Sequence, residues 1–498
     1  MNLVSLLRQA AVCFPGRPAV TWRDTTIDYA ELDRRVATMD GWLRSVGAGR
    51  DTRVALFMDN RLEYLVAMFA TWRSGATLVP CNSRLTADEL AFLVDDAGAT
   101  VVLTDDVHDQ VAKAATANAN GATVGVVGVD RLEGPPPPHE VDVEPDDVAW
   151  LFYTSGTTGH PKGAMLSHAV LHFVTVSWLA DLTPLDETDV TLHAAPLSHG
   201  AGFHAIAATA RAAHQVLTPT ASFDPAGVLE LVREHGITNT WLVPTQIVML
   251  ADAAPADVAL PTLQHVVYGG APMTPAATQR ALDRFGPIFV QLYGQGETPM
   301  TATVLRRQDH RAAVFGSAGR ARPGVDVRIM HENGELAPPD AVGEVVVRGA
   351  SVMSGYWKRP DATAETLRDG WLHTGDLGRM SDDGLLYLLD RTKDMIISGG
   401  SNVYAAEVEQ VLSGHPDIGD VAVVGVPDDV WGELVVAVVV PAAEDGAPLD
   451  TAALEAHCRA ALAGYKIPRR WESVESLPRN AYGKVLKREL RDELGTRA

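Results

Sequence analysis

Tyr153-Thr154-Ser155-Gly156-Thr157-Thr158-Gly159-His160-Pro161-Lys162-Gly163 comes directly after the apolar run Trp150 to Tyr153, which reads as a β-strand. Hydroxyls and glycines packed this densely let backbone amides and side-chain donors converge on phosphate oxygens, and Lys162 adds a mobile positive charge. The nucleotide-triphosphatase P-loop is excluded, because it ends in Gly-Lys-Ser/Thr where this chain has Pro161-Lys162-Gly163. Around this loop, short β-branched runs alternate with helical stretches: Val54 to Met58, Thr100 to Leu103, Thr191 to Ala195, Thr240 to Val243, His265 to Tyr268 and Phe289 to Tyr293. Leu65, Phe69 and Trp72 recur at helical spacing between two of them, as a crossover helix requires. That alternation predicts parallel sheets covered by helices, an α/β fold.

The chain has 498 residues, enough for two to four domains at about 100 to 200 residues each. Its 41 basic and 63 acidic residues give a net charge of −22, which argues against wrapping nucleic acid or docking on anionic lipid. Apolar runs such as Val421 to Val426 and Val435 to Val440 are strand-length, shorter than the roughly 20 residues of a membrane helix. Cys13, Cys81 and Cys458 are too scattered for a metal motif and too few for a disulfide framework. The N-terminus carries no export signal, so a soluble cytoplasmic protein is expected, with no nucleic-acid partner and no integral membrane contact. Gly134 to Pro138 reads as a polyproline spacer ahead of the phosphate loop. Near residue 390 the cluster Asp390-Arg391-Thr392-Lys393-Asp394 precedes a glycine-rich turn, and the rest of the chain is most simply read as a small α+β domain on a hinge.

Seven further elements stand in order with the loop: Pro196-Leu197-Ser198-His199-Gly200-Ala201-Gly202, Tyr268-Gly269-Gly270-Ala271-Pro272, Tyr293-Gly294-Gln295-Gly296-Glu297, Gly355-Tyr356-Trp357, Trp371-Leu372-His373-Thr374-Gly375-Asp376, Asp390-Arg391 and Asn480-Ala481-Tyr482-Gly483-Lys484. Together they resemble, over essentially the whole chain, the adenylate-forming superfamily of acyl- and aryl-CoA synthetases, luciferases and peptide-synthetase adenylation domains. The resemblance implies an N-terminal AMP-binding domain over residues 1–390, with two parallel-sheet lobes and a small barrel-like lobe. A mobile C-terminal domain would span 391–498.

It also implies roles. Thr154, Ser155, Gly156, Thr157, Thr158, Gly159 and Lys162 would hold phosphates; Glu297, with Thr154, would ligate magnesium, a cation that prefers hard oxygen donors. Gly269, Gly270, Ala271, Gln291, Tyr293, Gly294 and Gln295 would border the nucleotide, and Asp376 and Arg391 the ribose. Lys484 would bridge carboxylate and α-phosphate during adenylation. Lys393 would be the pivot for a domain exchange that presents Ser398, Gly399 and Gly400 to the CoA thiol path, with Lys466 a contact for CoA phosphates. His199 would divide the acid tunnel from the nucleotide, and Phe203, Trp241, Val243, Gln246, Tyr268, Leu292, Gly294 and Met300 would line that tunnel.

Two positions depart from the family pattern. Gly296 stands where the family usually has threonine, leaving Thr298, Thr301 or a water to supply the hydroxyl, or else a reshaped acid pocket. Ser198 stands where many members carry an aromatic residue. The expected activity is ATP- and magnesium-dependent ligation of a medium-chain or aromatic acid to CoA through an acyl-adenylate, by a monomer or homodimer. The alternative keeps the adenylation but passes the acyl group to a carrier protein, an amine or another acceptor, with an unusual oxyacid as a candidate substrate. With no carrier domain after residue 498 and no peroxisomal tripeptide, a peptide-synthetase fragment or a firefly-type luciferase is not expected. A non-catalytic scaffold on the same fold is disfavoured because Lys484, Glu297 and Asp376 are all present.

Overall fold

The structure is a computed structural model that describes residues 2–117, 122–128, 132–154, 161–391, 394–398, 401–428, 431–442, 449–479 and 485–495. The chain divides into two compact units. One comprises residues 1–273, 277–327 and 347–372; the other comprises 274–276, 328–346 and 373–498.

Two large sheets organise the first unit. In the six-stranded sheet the order is Thr123–Val126, Val101–Thr104, Arg53–Phe57, Thr77–Cys81, Val148–Thr154 and Lys162–Ser167, all parallel except the last. The nine-stranded sheet has six parallel strands at its centre, Phe289–Gln295, His265–Tyr268, Asn239–Leu242, Val190–His193, His214–Leu217 and Pro18–Trp22. Antiparallel strands close both of its ends. Val54, Ala55, Leu56 and Phe57 are consecutive and all fully buried, as strands covered on both faces must be. The expected strands and the crossover helix Leu62–Arg73 are present. Helix ends carry local signals: Thr86 and Glu89 form a capping box, and Gly98 ends that helix in the left-handed conformation at φ 64°. Gly134, in the proline-rich spacer, donates its N–H to Thr38 O at 2.9 Å. A Cβ at Gly134 would stand 2.5 Å from the carbonyl carbon of Gly41, so the spacer touches the Tyr29–Ser45 helix through two facing glycines.

Further along the chain, a five-stranded sheet contains Val325–Met330, Val342–Gly349, Trp371–Met380, Leu367–Arg368 and Leu386–Arg391. In the second unit, Ile418–Asp428 pairs antiparallel with one edge of Gly432–Pro441, and the other edge of that strand pairs with Ile396–Ser398 at Gly432 and with Arg470–Ser473 over Val436 to Val439. Period two assigns its faces. Val435, Ala437 and Val439 pack with the Ala405–Leu412 helix, while Val436 and Val438 pack with Leu490 and Leu494 of the Lys487–Gly495 helix. Both faces are covered, which explains the unbroken apolar run read in the sequence. No helix among the described residues is long and apolar enough to cross a membrane.

Candidate active site

The strand Val148–Thr154 sends alternate side chains to opposite faces. Leu151 and Tyr153 enter a core cluster, where Tyr153 donates its hydroxyl to Asp96 Oδ2 at 2.8 Å. Trp150, Phe152 and Thr154 point the other way. Thr154 pairs in register with Lys162 on the antiparallel return strand, so the ends of the phosphate loop are pinned side by side at the carboxyl end of a parallel strand. Open α/β sheets place their ligands at that end. Ser155, Gly156, Thr157, Thr158 and Gly159 lie outside the described residues.

Glu297 joins this corner from the turn between Phe289–Gln295 and Thr298–Leu305. Its side chain is buried, and its Oε1 accepts hydroxyls from Thr154 at 3.1 Å and Tyr356 at 2.6 Å. Met353 N donates to the Glu297 backbone oxygen at 2.8 Å, which fixes the turn. Lys162 Nζ stands 5.2 Å from the centre of the Tyr356 ring, within cation–π range. Three distant segments thus deliver two hydroxyls, one carboxylate and one ammonium to one place. Among the described residues no lysine or arginine forms an ion pair with Glu297, although a buried carboxylate ordinarily needs a cation. Hard oxygens with that unmet demand suit magnesium. The chemistry a bound magnesium supplies is charge neutralisation shared with phosphate oxygens.

The two threonine candidates for the hydroxyl missing at Gly296 are both buried. Thr298 Oγ1 lies 2.7 Å from Ser351 Oγ, and Thr301 is fully enclosed. Thr154 and Tyr356 are the hydroxyls that reach Glu297.

An aromatic cluster adjoins the corner. Phe203 stacks on Trp150 at 4.8 Å and on Phe152 at 5.7 Å, and Phe152 meets His199 edge-to-face at 5.6 Å. His199 Nδ1 lies 2.9 Å from Ser198 Oγ. Burial, with the Arg84 charge second, pushes the His199 pKa down to about 4, so its imidazole is neutral at pH 7. Trp241 and Met300 crowd the glycine after it: a Cβ on Gly200 would lie 2.7 Å from the Trp241 ring and would overlap Met300 Cε. Met300 has φ 59°, a conformation costly for a side-chain-bearing residue, and buried Arg322 donates to its carbonyl at 2.7 Å.

Other expected lining residues do structural work. Tyr268 lies in the core of the nine-stranded sheet with its hydroxyl 3.3 Å from Gln291 Oε1 and 3.1 Å from His310 Nε2. Gln246 Oε1 accepts the Val243 N–H at 3.1 Å, closing the first turn of the Pro244–Ala253 helix. Gly269 is packed against Leu292, whose carbonyl oxygen would stand 2.6 Å from any Cβ, whereas Gly270 and Ala271 are exposed. Gly294 has Met300 N only 2.6 Å from where a Cβ would sit. Tyr293 is buried, and Gln291 and Gln295 are half-buried.

In the second unit, buried Asp376 lies opposite Arg391 in the pairing of Trp371–Met380 with Leu386–Arg391. Thr374 Oγ1 accepts the Asp376 N–H at 3.1 Å, and Glu344 accepts the Gly375 N–H at 2.9 Å, so this turn is held by side chains on both sides. Ser398 is buried at the end of its strand. Lys466 Nζ is held by both oxygens of Glu407 at 2.7 and 2.6 Å. Lys393, Gly399, Gly400, Lys484 and the side chain of Arg391 lie outside the described residues.

Sequence reasoning missed Phe152, Trp150 and the role of Tyr356. Alternation along Val148–Thr154 places Trp150 and Phe152 on the Thr154 face, which was the available signal. Tyr356 stood in a quoted motif without an assigned task.

Residues 7–357 match the AMP-binding enzyme family, and residues 407–484 match the AMP-binding enzyme C-terminal domain. The chain belongs to this family of adenylate-forming enzymes, and its activity is that of an acid–CoA ligase using ATP, magnesium and CoA. It is 42% identical over 483 residues to a feruloyl-CoA synthase from Amycolatopsis sp, covering 97% of this chain and 96% of that one. A fatty acid–[acyl-carrier-protein] ligase from Streptomyces coeruleorubidus is 36% identical, with 96% and 93% covered. Among solved structures, o-succinylbenzoate CoA synthetase from Bacillus subtilis, in complex with an acyl-adenylate intermediate, superposes with TM-score 0.89 at 31% identity, covering 98% of each chain.

Proposed function

We propose that the acid is aromatic and that its adenylation is organised by the corner where Thr154, Glu297 and Tyr356 meet beside the Trp150, Phe152 and Phe203 stack. That juxtaposition carries the reading. Bringing a carboxylate against an α-phosphate costs about 4 kcal/mol for unit charges about 4 Å apart at effective dielectric 20. Lys162, the phosphate-loop amides and Lys484 offset this repulsion. Glu297 and Thr154 would hold magnesium, with Tyr356 fixing the Glu297 carboxylate, and Asp376 with Arg391 would take the ribose. Neutral His199 adds no charge to compete with Lys484 for the carboxylate and serves as a flat divider between acid and nucleotide. Planar acids suit an aromatic wall because stacked rings gain about 0.5 to 1.5 kcal/mol beyond area burial.

For the second half-reaction, the functional boundary falls at 390/391, with Lys393 as pivot. Ser398, Gly399 and Gly400 would then border the thiol path, and Lys466 would contact CoA phosphates. The enzyme works in the cytoplasm as a monomer or homodimer. A separate acyl carrier protein is the second reading for the acceptor, favoured by the relative whose name carries that acceptor.

A pyrophosphate-release screen across aliphatic, aromatic and dicarboxylic acids tests the proposal. Release with aromatic acids at least tenfold above alkyl acids of equal size supports it; a preference for alkyl or dicarboxylic acids overturns the aromatic assignment.

A further inference from the structure

The residue that departs most clearly from the family pattern, Gly296, has a physical partner. Its φ lies outside the left-handed region, so the backbone there accepts any residue and the demand is for space alone. A Cβ at 296 would overlap Thr154 Cγ2 and stand 2.6 Å from Phe152 Cδ1 and 3.0 Å from Phe152 Cε1. The ring is hemmed in on two sides. Phe203 stacks on it at an interplanar angle of 25°, and His199 meets it edge-on at 80°. Phe203 is in turn backed by Trp150. Yet Phe152 is only half-buried, flanked in its strand by the buried Leu151 and Tyr153. It sits one pleat behind Thr154 on the same face, beside the histidine that divides acid from nucleotide.

We propose that Phe152 and Gly296 form an exchanged pair that determines acid specificity: the missing side chain at 296 makes room for the Phe152 ring, and that ring is the flat wall that favours planar aromatic acids over flexible alkyl ones. The inference rests on the acid-adenylating reading and deepens it. Stacking against a fixed ring is worth about three- to tenfold in affinity. The lost threonine hydroxyl is, on this account, exchanged for an aromatic surface rather than replaced by another hydroxyl.

The test uses the intact chain and two non-reactive probes, a benzoyl- and a hexanoyl-sulfamoyl adenosine, with binding followed by calorimetry and folding by thermal melting. The wild type should bind both, the benzoyl probe more tightly. F152L should lower the benzoyl-to-hexanoyl affinity ratio about three- to tenfold. G296T should weaken both probes, and in the double variant F152L/G296T the loss of hexanoyl binding should fall short of the sum of the two single losses, because F152L relieves the Phe152 part of the overlap and leaves the Thr154 part. Additive losses, or an unchanged ratio in F152L, overturn the pair while leaving adenylation intact. Failure of the wild type to bind either probe overturns the adenylating reading itself. If G296T does not fold, the F152L ratio alone decides.

Discussion

Tyr356 donates its phenolic hydroxyl to Glu297 Oε1 at 2.6 Å, and the same oxygen accepts the Thr154 hydroxyl. One carboxylate oxygen is therefore saturated by protein donors, and the carboxylate is oriented before any cation arrives. Hydrogen bonds to charged groups contribute about 1.5 to 3 kcal/mol, so Tyr356→Phe should raise the magnesium concentration for half-maximal pyrophosphate release by about ten- to a hundredfold. Melting temperature should change little beside that. Equal magnesium requirements in Tyr356→Phe and wild type would remove Tyr356 from this role.

Arg322 is buried, bonded to Met300 O and, through its Nε at 3.0 Å, to Asp181. Burial holds its pKa below the usual arginine value, but the Asp181 carboxylate keeps the pair together. Arg322→Met removes the anchor of the Met300 carbonyl and leaves Asp181 without its cation. Losing one partner of a buried pair costs about 3 to 5 kcal/mol, which denaturant unfolding would register as a lower midpoint. A loss below about 1 kcal/mol would show that the pair behaves as a surface bridge.

The buried histidines predict acid lability. Burial pushes His168 and His193 down to about 4 and His204 well below its usual value. His168 Nδ1 accepts the Leu3 N–H at 3.3 Å, a bond the protonated ring cannot accept. Each is neutral when folded and titrates near 6.5 when unfolded, so the unfolded chain binds more protons between pH 6.5 and 4. Stability from these groups is fully present above pH 6.5 and is lost as pH falls towards 4, at about 1.4 kcal/mol per pH unit per histidine. His193→Gln should reduce that slope by about one proton. A slope in His193→Gln equal to that of the wild type would contradict the assignment.

On the proposed domain exchange about Lys393, the two half-reactions are separable. Lys484→Ala should abolish acid-dependent pyrophosphate release while sparing thioester formation from supplied adenylate. Lys393→Pro, which stiffens the pivot, should do the reverse. Equal damage to both steps by each variant would mean that the two lysines do not serve separate conformations.

Much of the fold was legible in the sequence, because strand runs, crossover helices and glycine-rich turns obey local rules. Thr154, Lys162 and Glu297 could be read as one group from motif order, and the structure brings them together. Tyr268 and Gln246 could not be read: the side chains that tie them, Gln291, His310 and the cap of the Pro244–Ala253 helix, emerge only from packing. Phe152 was hidden for the opposite reason. An aromatic residue inside an apolar strand looks like core, and the residue whose missing side chain leaves space beside its ring, Gly296, is far away along the chain.

The most direct measurement is mass spectrometry of the products formed from ATP, magnesium, CoA and a panel of aromatic and alkyl acids, with a carrier protein and an amine offered in parallel. A CoA thioester, formed with AMP and pyrophosphate and fastest from an aromatic acid, is the predicted result. No CoA thioester from any acid, with product appearing only on the carrier or the amine, would contradict it.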